Sequence, residues 1–562
     1  MTNYKIISDT IAELEAVADP AEFEYSGMNY WPVVRSLVGR AFMRPERRRK
    51  TLRRRHLVGR SGIPQLAGRH RLHRAASEAF RNLQRSVCET IGPVHAEVLF
   101  FTLGFEYQWG VGGWYNRFFD PLKELLDPAG VCHADIRGEF EGCRREPRLH
   151  AATDICPCIR AANSLALAFF LSGGVSLAGY ANFRDRAVAR DSRLENLPSE
   201  EDLRSRLDSV AAYTWMFRAL LMKVRPSLGI LTCYYHDLGM AFLRACRAAT
   251  VVSMELQHSY VNELDWNWLR WRTPLVASKT PLPEFFGAWD ERTRKLFDER
   301  RPAGAFMPVV VGNLWLEKRR AELASQPAGA HGTDRPIRVL YTAPGLCEVP
   351  PAALLQAIER SPPEMEWLVR LHYKTEPETA RRIEKAFAAT GGRVAFRPHG
   401  AFDLYKLFLE CDAHITETST TALEATWFGL RSIIIGDDGL GWFGGDIRDG
   451  ALLYAESSSD IIDKVRMAAD EKRSGVRAMS RSSGSHAASE VKALCARRGA
   501  AAAQSEDALA AEFDSFLSAH YGRRDCGGGV PVVGAAAVNA FFGVVHAGQW
   551  TDRIRRMSDP EG

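Results

Sequence analysis

A chain of 562 residues is too long for one hydrophobic core, which stops growing at about 250 to 300 residues, so two large domains with appendages are expected. Hydrophobic residues at 46% and charged residues at 25% exclude a wholly disordered chain and a membrane-embedded one. The formal net charge of +5 is mild and no nucleic-acid module accompanies it, so no nucleic-acid partner is expected.

The opening MTNYKIISDTIAELEAVADP carries early acidic residues and no basic segment leading into an apolar core, which is not the pattern of a secretory signal. Residues 1–95 read as a helical, basic extension. Its strongest feature is the run Arg47, Arg48, Arg49, Lys50, Arg53, Arg54 and Arg55, which is either a solvated face or a surface for anionic lipid head groups or a lipid-pyrophosphate acceptor. Eleven cysteines without a repeating spacing suit a reducing, cytoplasmic location, at the inner face of the membrane if the Arg47–Arg55 run binds lipid. Cys156 and Cys158 lie near Cys143 and His150, but no second paired motif follows, so no metal is assigned. The uncharged stretch Ala161 to Phe183 is diluted by Asn, Ser and Gly and reads as a buried helix and turn.

From Glu97 the pattern changes to apolar runs alternating with amphipathic segments, the signature of a doubly wound α/β domain, here placed at 96–324. Glu97 to Leu103 predicts its first strand. A glycine-bearing loop follows, whose spacing is not the dinucleotide fingerprint, and then a helix begins near Asp120. Ser199 and Asp202 predict the N-cap of a long helix that Pro226 stops. A compact βαβ unit comes next: strand Leu228 to Cys233, helix Leu238 to Ala249, strand Val251 to Leu256. Gln257 and His258 stand at the carboxyl end of that second strand, where open α/β sheets place ligand-facing loops. The Gly- and Pro-rich 325–336 reads as a linker. A second domain, 337–472, predicts strands at Ile337–Thr342, Trp367–Leu371, Val394–Phe396 and Ala413–Thr416, with helices between. Residues 473–562 read as one helix, Ala508 to His520, in a flexible small-residue tail.

The segment Ala413 to Ile435, AHITETSTTALEATWFGLRSIII, carries the most chemistry. A buried strand ends at Thr416 and Glu417, the hydroxyls of Thr418, Ser419, Thr420 and Thr421 follow, and a helix is expected to run to a capping Gly429. Hydroxyls do cap helices. Four in a row at a helix start, with Glu424 one turn in to meet ribose hydroxyls, read as a phosphate-and-ribose site.

This pattern resembles the nucleotide-binding segment of GT-B glycosyltransferases that build capsules, lipopolysaccharides and teichoic acids. MELQHS (254–259) is similar to their Gln-His-Gly element and VRLHYK (369–374) to their Arg-x-His-Pro element, with Ser259 in place of Gly and Tyr373 in place of Pro. PEFFGAWDE and VVVGNLWLE also resemble the passage in which such enzymes cross between domains. The resemblance covers about 97–460 as a pattern of elements. It implies two Rossmann-like doubly wound domains and transfer of a sugar from a nucleotide-sugar donor to a surface polysaccharide or lipid-linked acceptor. His258 would be the general base if the reaction inverts the anomeric centre, and Arg370, His372 and Lys374 would stabilise the leaving phosphate in place of a metal. Glu417, Thr418, Ser419, Thr420, Thr421 and Glu424 would hold the donor. Glu106, His236 and Asp237 follow first-domain strands and are candidates for acceptor contacts or a second acid/base role, and Gln257 is a further acceptor candidate. No cofactor is expected. Trp109, Trp114, Tyr260, Trp266 and Trp268 offer flat faces to sugars or fill the core. Two alternatives stand beside this reading: a sugar-nucleotide 2-epimerase of the same architecture, and a non-catalytic polysaccharide- or nucleotide-binding protein.

Overall fold

The computed structural model describes residues 3–18, 20–43, 69–92, 94–103, 107–110, 112–138, 148–171, 176–272, 279–324, 335–345, 349–372, 375–391, 394–397, 403–474, 486–497 and 505–522. In chain order the strands are β1 (Glu24–Tyr25), β2 (Met28–Asn29), β3 (Val98–Leu103), β4 (Tyr107–Gly110), β5 (Gly113–Asn116), β6 (His133–Gly138), β7 (Thr153–Asp154), β8 (Leu228–Leu231), β9 (Val252–Leu256), β10 (Phe285–Ala288), β11 (Met307–Val310), β12 (Ile337–Thr342), β13 (Met365–Arg370), β14 (Val394–Phe396), β15 (Ala413–Thr416), β16 (Ser432–Ile435) and β17 (Leu453–Ala455). Two compact units result. The first holds residues 7–258, 265–312 and 485–562, and the second holds 1–6, 259–264 and 313–484.

The first unit is built on a parallel seven-stranded sheet of order β11-β10-β9-β8-β3-β6-β7. Every residue of β3, β8 and β9 is buried, as expected of strands covered on both faces. The chain reverses its direction of travel across the sheet between β3 and β8, the switch point where the carboxyl ends of open α/β sheets leave a crevice. The long helix Glu200–Val224 starts as the sequence predicts, with Ser199 Oγ accepting from Asp202 N at 3.1 Å. It ends on Arg225, held at φ +52° ahead of Pro226.

The N-terminal helices correct the expectation of a basic extension. From Ile7 onward they belong to the body of the first unit, because each carries an apolar stripe at helical spacing: Ile7, Ile11 and Leu14; Val33, Val34 and Leu37; Ala76, Phe80, Leu83 and Val87, all buried. A buried ion pair fastens them to the loop after β9. Arg35 pairs with Glu15, its Nε donates to the Trp266 carbonyl at 3.0 Å and its Nη2 to that of Leu269 at 2.8 Å. Glu15 Oε1 accepts from Arg272 N at 2.9 Å. Helix Trp31–Met43 comes so close to this loop that a Cβ on Gly39 would stand 2.4 Å from Trp266 Nε1. The basic run Arg47–Arg55 lies outside the described residues.

The C-terminal region supplies two helices where the sequence predicts one, Ala487–Arg497 and Glu506–Gly522. Phe513 of the second stacks on Phe80 at 3.9 Å and meets Trp215 edge-on at 5.0 Å. Of the stretch Ala161 to Phe183, residues 161–171 lie in the largely buried helix Cys156–Leu171 and 178–183 in the next helix, Ala178–Arg190, and among the described residues no helix is long and apolar enough to cross a membrane.

The second unit has a parallel six-stranded sheet of order β14-β13-β12-β15-β16-β17, with its switch point between β12 and β15. Its limit at Asn313 moves the expected boundary, because helix Leu314–Ala324 buries Leu316 and Leu323 against Leu340, Phe408 and Phe428 of this unit. That helix therefore belongs to the second domain and not to the first. Both units are Rossmann-like, doubly wound α/β domains, the class the sequence predicts.

Candidate functional site

Two clusters stand at the two switch points, one in each unit. In the second, the helix after β15 is shorter than expected. It spans Thr421–Thr426, and a turn continues to Gly429, which takes φ +73° while Leu430 N reaches back to the Ala425 carbonyl at 3.1 Å. Thr420, at the cap position, makes no side-chain cap bond. The hydroxyls are instead ordered from below by a buried polar chain. Ser432 Oγ donates to the Ala422 carbonyl at 2.7 Å, so His414 Nδ1 donates to Ser432 at 2.8 Å and its Nε2 accepts from Thr342 at 2.8 Å. Thr342 Oγ1 lies 2.8 Å from Thr421 Oγ1, which lies 2.8 Å from Ser419 Oγ. Burial pushes the His414 imidazole down to about 3, so the chain is neutral. It joins β16, β15, β12 and the helix start, and it fixes the Thr421 and Ser419 hydroxyls there.

Around it stand the other predicted donor residues. Glu417 is half-buried at the end of β15, and Tyr341 donates to its two oxygens at 3.1 Å each. Burial pushes this carboxyl up to about 7. Glu424 is half-buried in the first turn. Arg370, at the end of β13, is 8% exposed; its burial lowers the guanidinium pKa against the opposing pull of Asp403 and Tyr405. His372 packs on the loop after β12, where a Cβ at Gly345 would come within 3.1 Å of its Nδ1. Tyr373 and Lys374 lie outside the described residues. The segment after β16 closes tightly on Glu417: a Cβ at Gly439 would be 2.5 Å from the Glu417 carbonyl oxygen.

In the first unit His258 follows β9. Its Nε2 is 2.9 Å from the Tyr235 hydroxyl, its Nδ1 is 3.7 Å from Glu255 Oε1, and it bonds the Thr232 backbone. Burial, with Arg117 adding to it, pushes the imidazole down to about 4, so it is neutral and able to take a proton at physiological pH. Glu255 is fully buried within β9 and its pKa is raised well above the ordinary carboxylate value by desolvation. Its Oε2 accepts from Tyr234 N at 2.8 Å, and among the described residues its Oε1 has no hydrogen-bond partner. Phe118 stands edge-on to His258 at 6.5 Å. A closed network holds that turn: Asn116 Oδ1 accepts from Phe118 N and Phe119 N, Asp120 accepts from Asn116 N at 2.6 Å, and buried Lys123 donates to Asp120 and Asp135 at 3.0 and 2.6 Å.

The predicted acceptor residues are engaged inside this unit. Gln257 is 2% exposed and its Oε1 accepts from Trp289 N at 2.8 Å, tying β9 to the end of β10. His236 caps helix Asp237–Ala248 by accepting from Leu238 N at 3.3 Å, and Asp237 pairs with Arg206 at 2.5 Å. Glu106 lies outside the described residues. Tyr260, Trp266 and Trp268 are core residues, Trp268 packing on Phe286, Phe297 and Phe306. The residues that sequence reasoning missed are Tyr235, Glu255, Thr342 and His414. The visible signal was an ionisable residue inside an otherwise apolar strand, MEL for Glu255 and AHIT for His414. Among the described residues no cluster of His, Cys, Asp and Glu has the arrangement of a metal site.

No family model and no curated protein matches the chain. Among solved structures it is similar to the UDP-GlcNAc 2-epimerase from Neisseria meningitidis bound to UDP-GlcNAc, at 12% identity over 71% of this chain and 99% of that one, with a TM-score of 0.42. It is also similar to CalG4, the calicheamicin glycosyltransferase, at 13% identity over 72% and 99% with a TM-score of 0.38. A third is the wall teichoic acid polymerase TagF, at 10% identity over 75% and 93% with a TM-score of 0.37. The likeness is one of fold and does not reach the chemistry of either cluster.

Proposed function

We propose that the chain is a glycosyltransferase of the GT-B kind, which moves a sugar from a nucleotide-sugar donor to a hydroxyl of a polysaccharide or lipid-linked acceptor without a divalent metal. The observation that carries the reading is the buried Ser432–His414–Thr342–Thr421–Ser419 chain. It spends five polar side chains to fix hydroxyls at a sheet switch point, beyond what ending a strand or capping a six-residue helix requires. In this reading Ser419, Thr420 and Thr421 receive the diphosphate, Glu424 the ribose, and Arg370, His372 and Lys374 the charge that develops on the leaving phosphate. His258 removes the acceptor proton, and Glu255 lies beside the imidazole as it becomes charged.

Thermal unfolding in the presence of UDP, CDP, GDP, TDP and CMP tests the donor assignment. A nucleotide at about 100 times its Kd stabilises the folded state by about 2.7 kcal/mol, and Arg370→Ala and Ser419→Ala are expected to reduce that shift. Transfer with the matching nucleotide sugar should survive EDTA. Loss in EDTA with recovery on adding manganese would refute the metal-free mechanism. Rapid epimerisation of the nucleotide sugar without any acceptor would replace the transferase reading with the epimerase one.

Glu417 gives this site a pH dependence. With its carboxyl pushed up to about 7, it is neutral below that pH and anionic above, where it repels a diphosphate. Nucleoside diphosphate affinity is therefore expected to fall roughly three- to tenfold between about pH 6.5 and 8.5, and Glu417→Gln should flatten the profile. Calorimetric titration across that range checks it; an equally steep profile in the Gln variant would locate the titrating group elsewhere.

A further inference from the structure

Near the proposed base in the first unit stands an arginine that the protein does not neutralise. Arg117 occupies the turn between β5 and the helix Asp120–Leu126, and its guanidinium lies over the Phe118 ring at 4.8 Å. That ring meets His258 edge-on, with centroids 6.5 Å apart. The backbone presenting Arg117 is fixed on both sides, since Asn116 Oδ1 accepts from Phe118 N at 3.0 Å and Asp120 accepts from Asn116 N at 2.6 Å. Arg117 is half-buried, yet among the described residues its side chain makes no hydrogen bond and no ion pair. The acids that follow it in sequence are engaged: Asp120 pairs with Lys123 at 3.0 Å, and Glu124 accepts from the Tyr115 hydroxyl at 3.0 Å and pairs with His150 at 3.6 Å.

We propose that Arg117 binds an anionic group of the acceptor, a carboxylate or a phosphate, so that the protein selects an acidic sugar as the molecule whose hydroxyl His258 deprotonates. The inference rests on the reading of His258 as the base of a sugar transfer. A guanidinium carries five N–H donors in a planar fork that matches either oxyanion with two parallel bonds. The Phe118 ring attracts the charge but supplies no acceptor oxygen. Chemistry at His258 gives the charge a further reason to be met by the substrate. A base that takes the acceptor proton becomes an imidazolium, and a cation nearby opposes that change; the field of Arg117 already adds to burial in pushing the imidazole down. An anion on Arg117 cancels this opposition. An acidic acceptor is thus bound more tightly and deprotonated more readily than its neutral analogue.

The test is calorimetry on the full chain with methyl glucuronide, methyl 6-phosphoglucoside and uncharged methyl glucoside. Each is titrated into protein saturated with whichever of UDP, CDP, GDP and TDP binds it best. At least one anionic sugar is expected to bind about tenfold or more tightly than the neutral one, as a charge-assisted pair implies. Preference for the glucuronide alone assigns the carboxylate, and preference for the phosphorylated sugar alone the phosphate. Arg117→Gln should erase the preference, while Arg117→Lys, which keeps the charge and loses the fork, should retain part of it. In both variants the nucleotide Kd should stay within a factor of about two and the melting temperature within about 2 °C of the wild type. Equal binding of all three sugars, binding of none, or a preference that survives Arg117→Gln would overturn the role of Arg117, and unchanged nucleotide binding would leave the donor site standing. A wild type that binds none of the four nucleotides would remove the transferase reading and the acceptor role with it.

Discussion

His258→Ala is expected to lower kcat/KM for sugar transfer by about 10²- to 10⁴-fold, the range supplied by a positioned general base. Nucleoside diphosphate affinity should remain within a factor of about two, since the donor cluster is built from residues of the other unit. The pH profile adds a signature of this particular histidine. An imidazole pushed down to about 4 is protonated, and so useless as a base, only below that pH. The acid limb of kcat/KM should therefore break near 4, well below the 6.5 of an ordinary histidine. Tyr235→Phe removes the hydroxyl 2.9 Å from Nε2 and should shift that limb. Glu255→Gln replaces the carboxyl whose free oxygen lies 3.7 Å from Nδ1, and a fall in rate there would show that this carboxyl supports the imidazole. Full activity in His258→Ala would remove the proposed base.

Strands that are continuous apolar runs were legible in the sequence. VLFFTL, LGIL, VSMEL and IRVLYT all fall where hydrophobicity places them, because two-sided burial leaves few other choices. HADIRG was not legible as β6. Its Asp135 and Arg137 are buried, and Asp135 is tolerated only because Lys123 and Thr102 meet it from a neighbouring helix and strand. The N-terminal helices were misjudged for a compositional reason: the arginines between them dominate the local charge while the flanking stripes are ordinary core. At the sites, the motif residues at strand ends were readable, whereas the groups that fix them were not. His414 gains its meaning from Thr342 and Ser432 on the two adjacent strands. Pattern reveals which face of an element is buried; it does not reveal which distant polar group completes a hydrogen bond.

Glu15→Ala is expected to destabilise the first unit by about 3 to 5 kcal/mol, the cost of leaving one partner of a buried ion pair uncompensated. Arg35 is essentially excluded from solvent, and desolvation lowers its guanidinium pKa despite the opposing pull of Glu15. Without Glu15 the charge keeps the Trp266 and Leu269 carbonyls and the face of the Trp271 ring 4.1 Å away, but loses the carboxylate paired with it. The apolar pair Glu15→Leu with Arg35→Met removes the stranded charge and should recover part of the loss, but not all of it. Those two carbonyls and the Arg272 amide, which donates to Glu15, would then be unsatisfied, at about 1 to 3 kcal/mol for each that water cannot reach. The double variant is therefore expected to lie between Glu15→Ala and the wild type in urea midpoint, with the first loosening seen as faster hydrogen exchange across residues 265–272. That loop follows the strand carrying Glu255, so kcat should fall with the exchange protection while nucleotide affinity stays unchanged. A double variant as stable as the wild type would mean that the loop is held by its aromatic packing, and that the ion pair serves only its own charges.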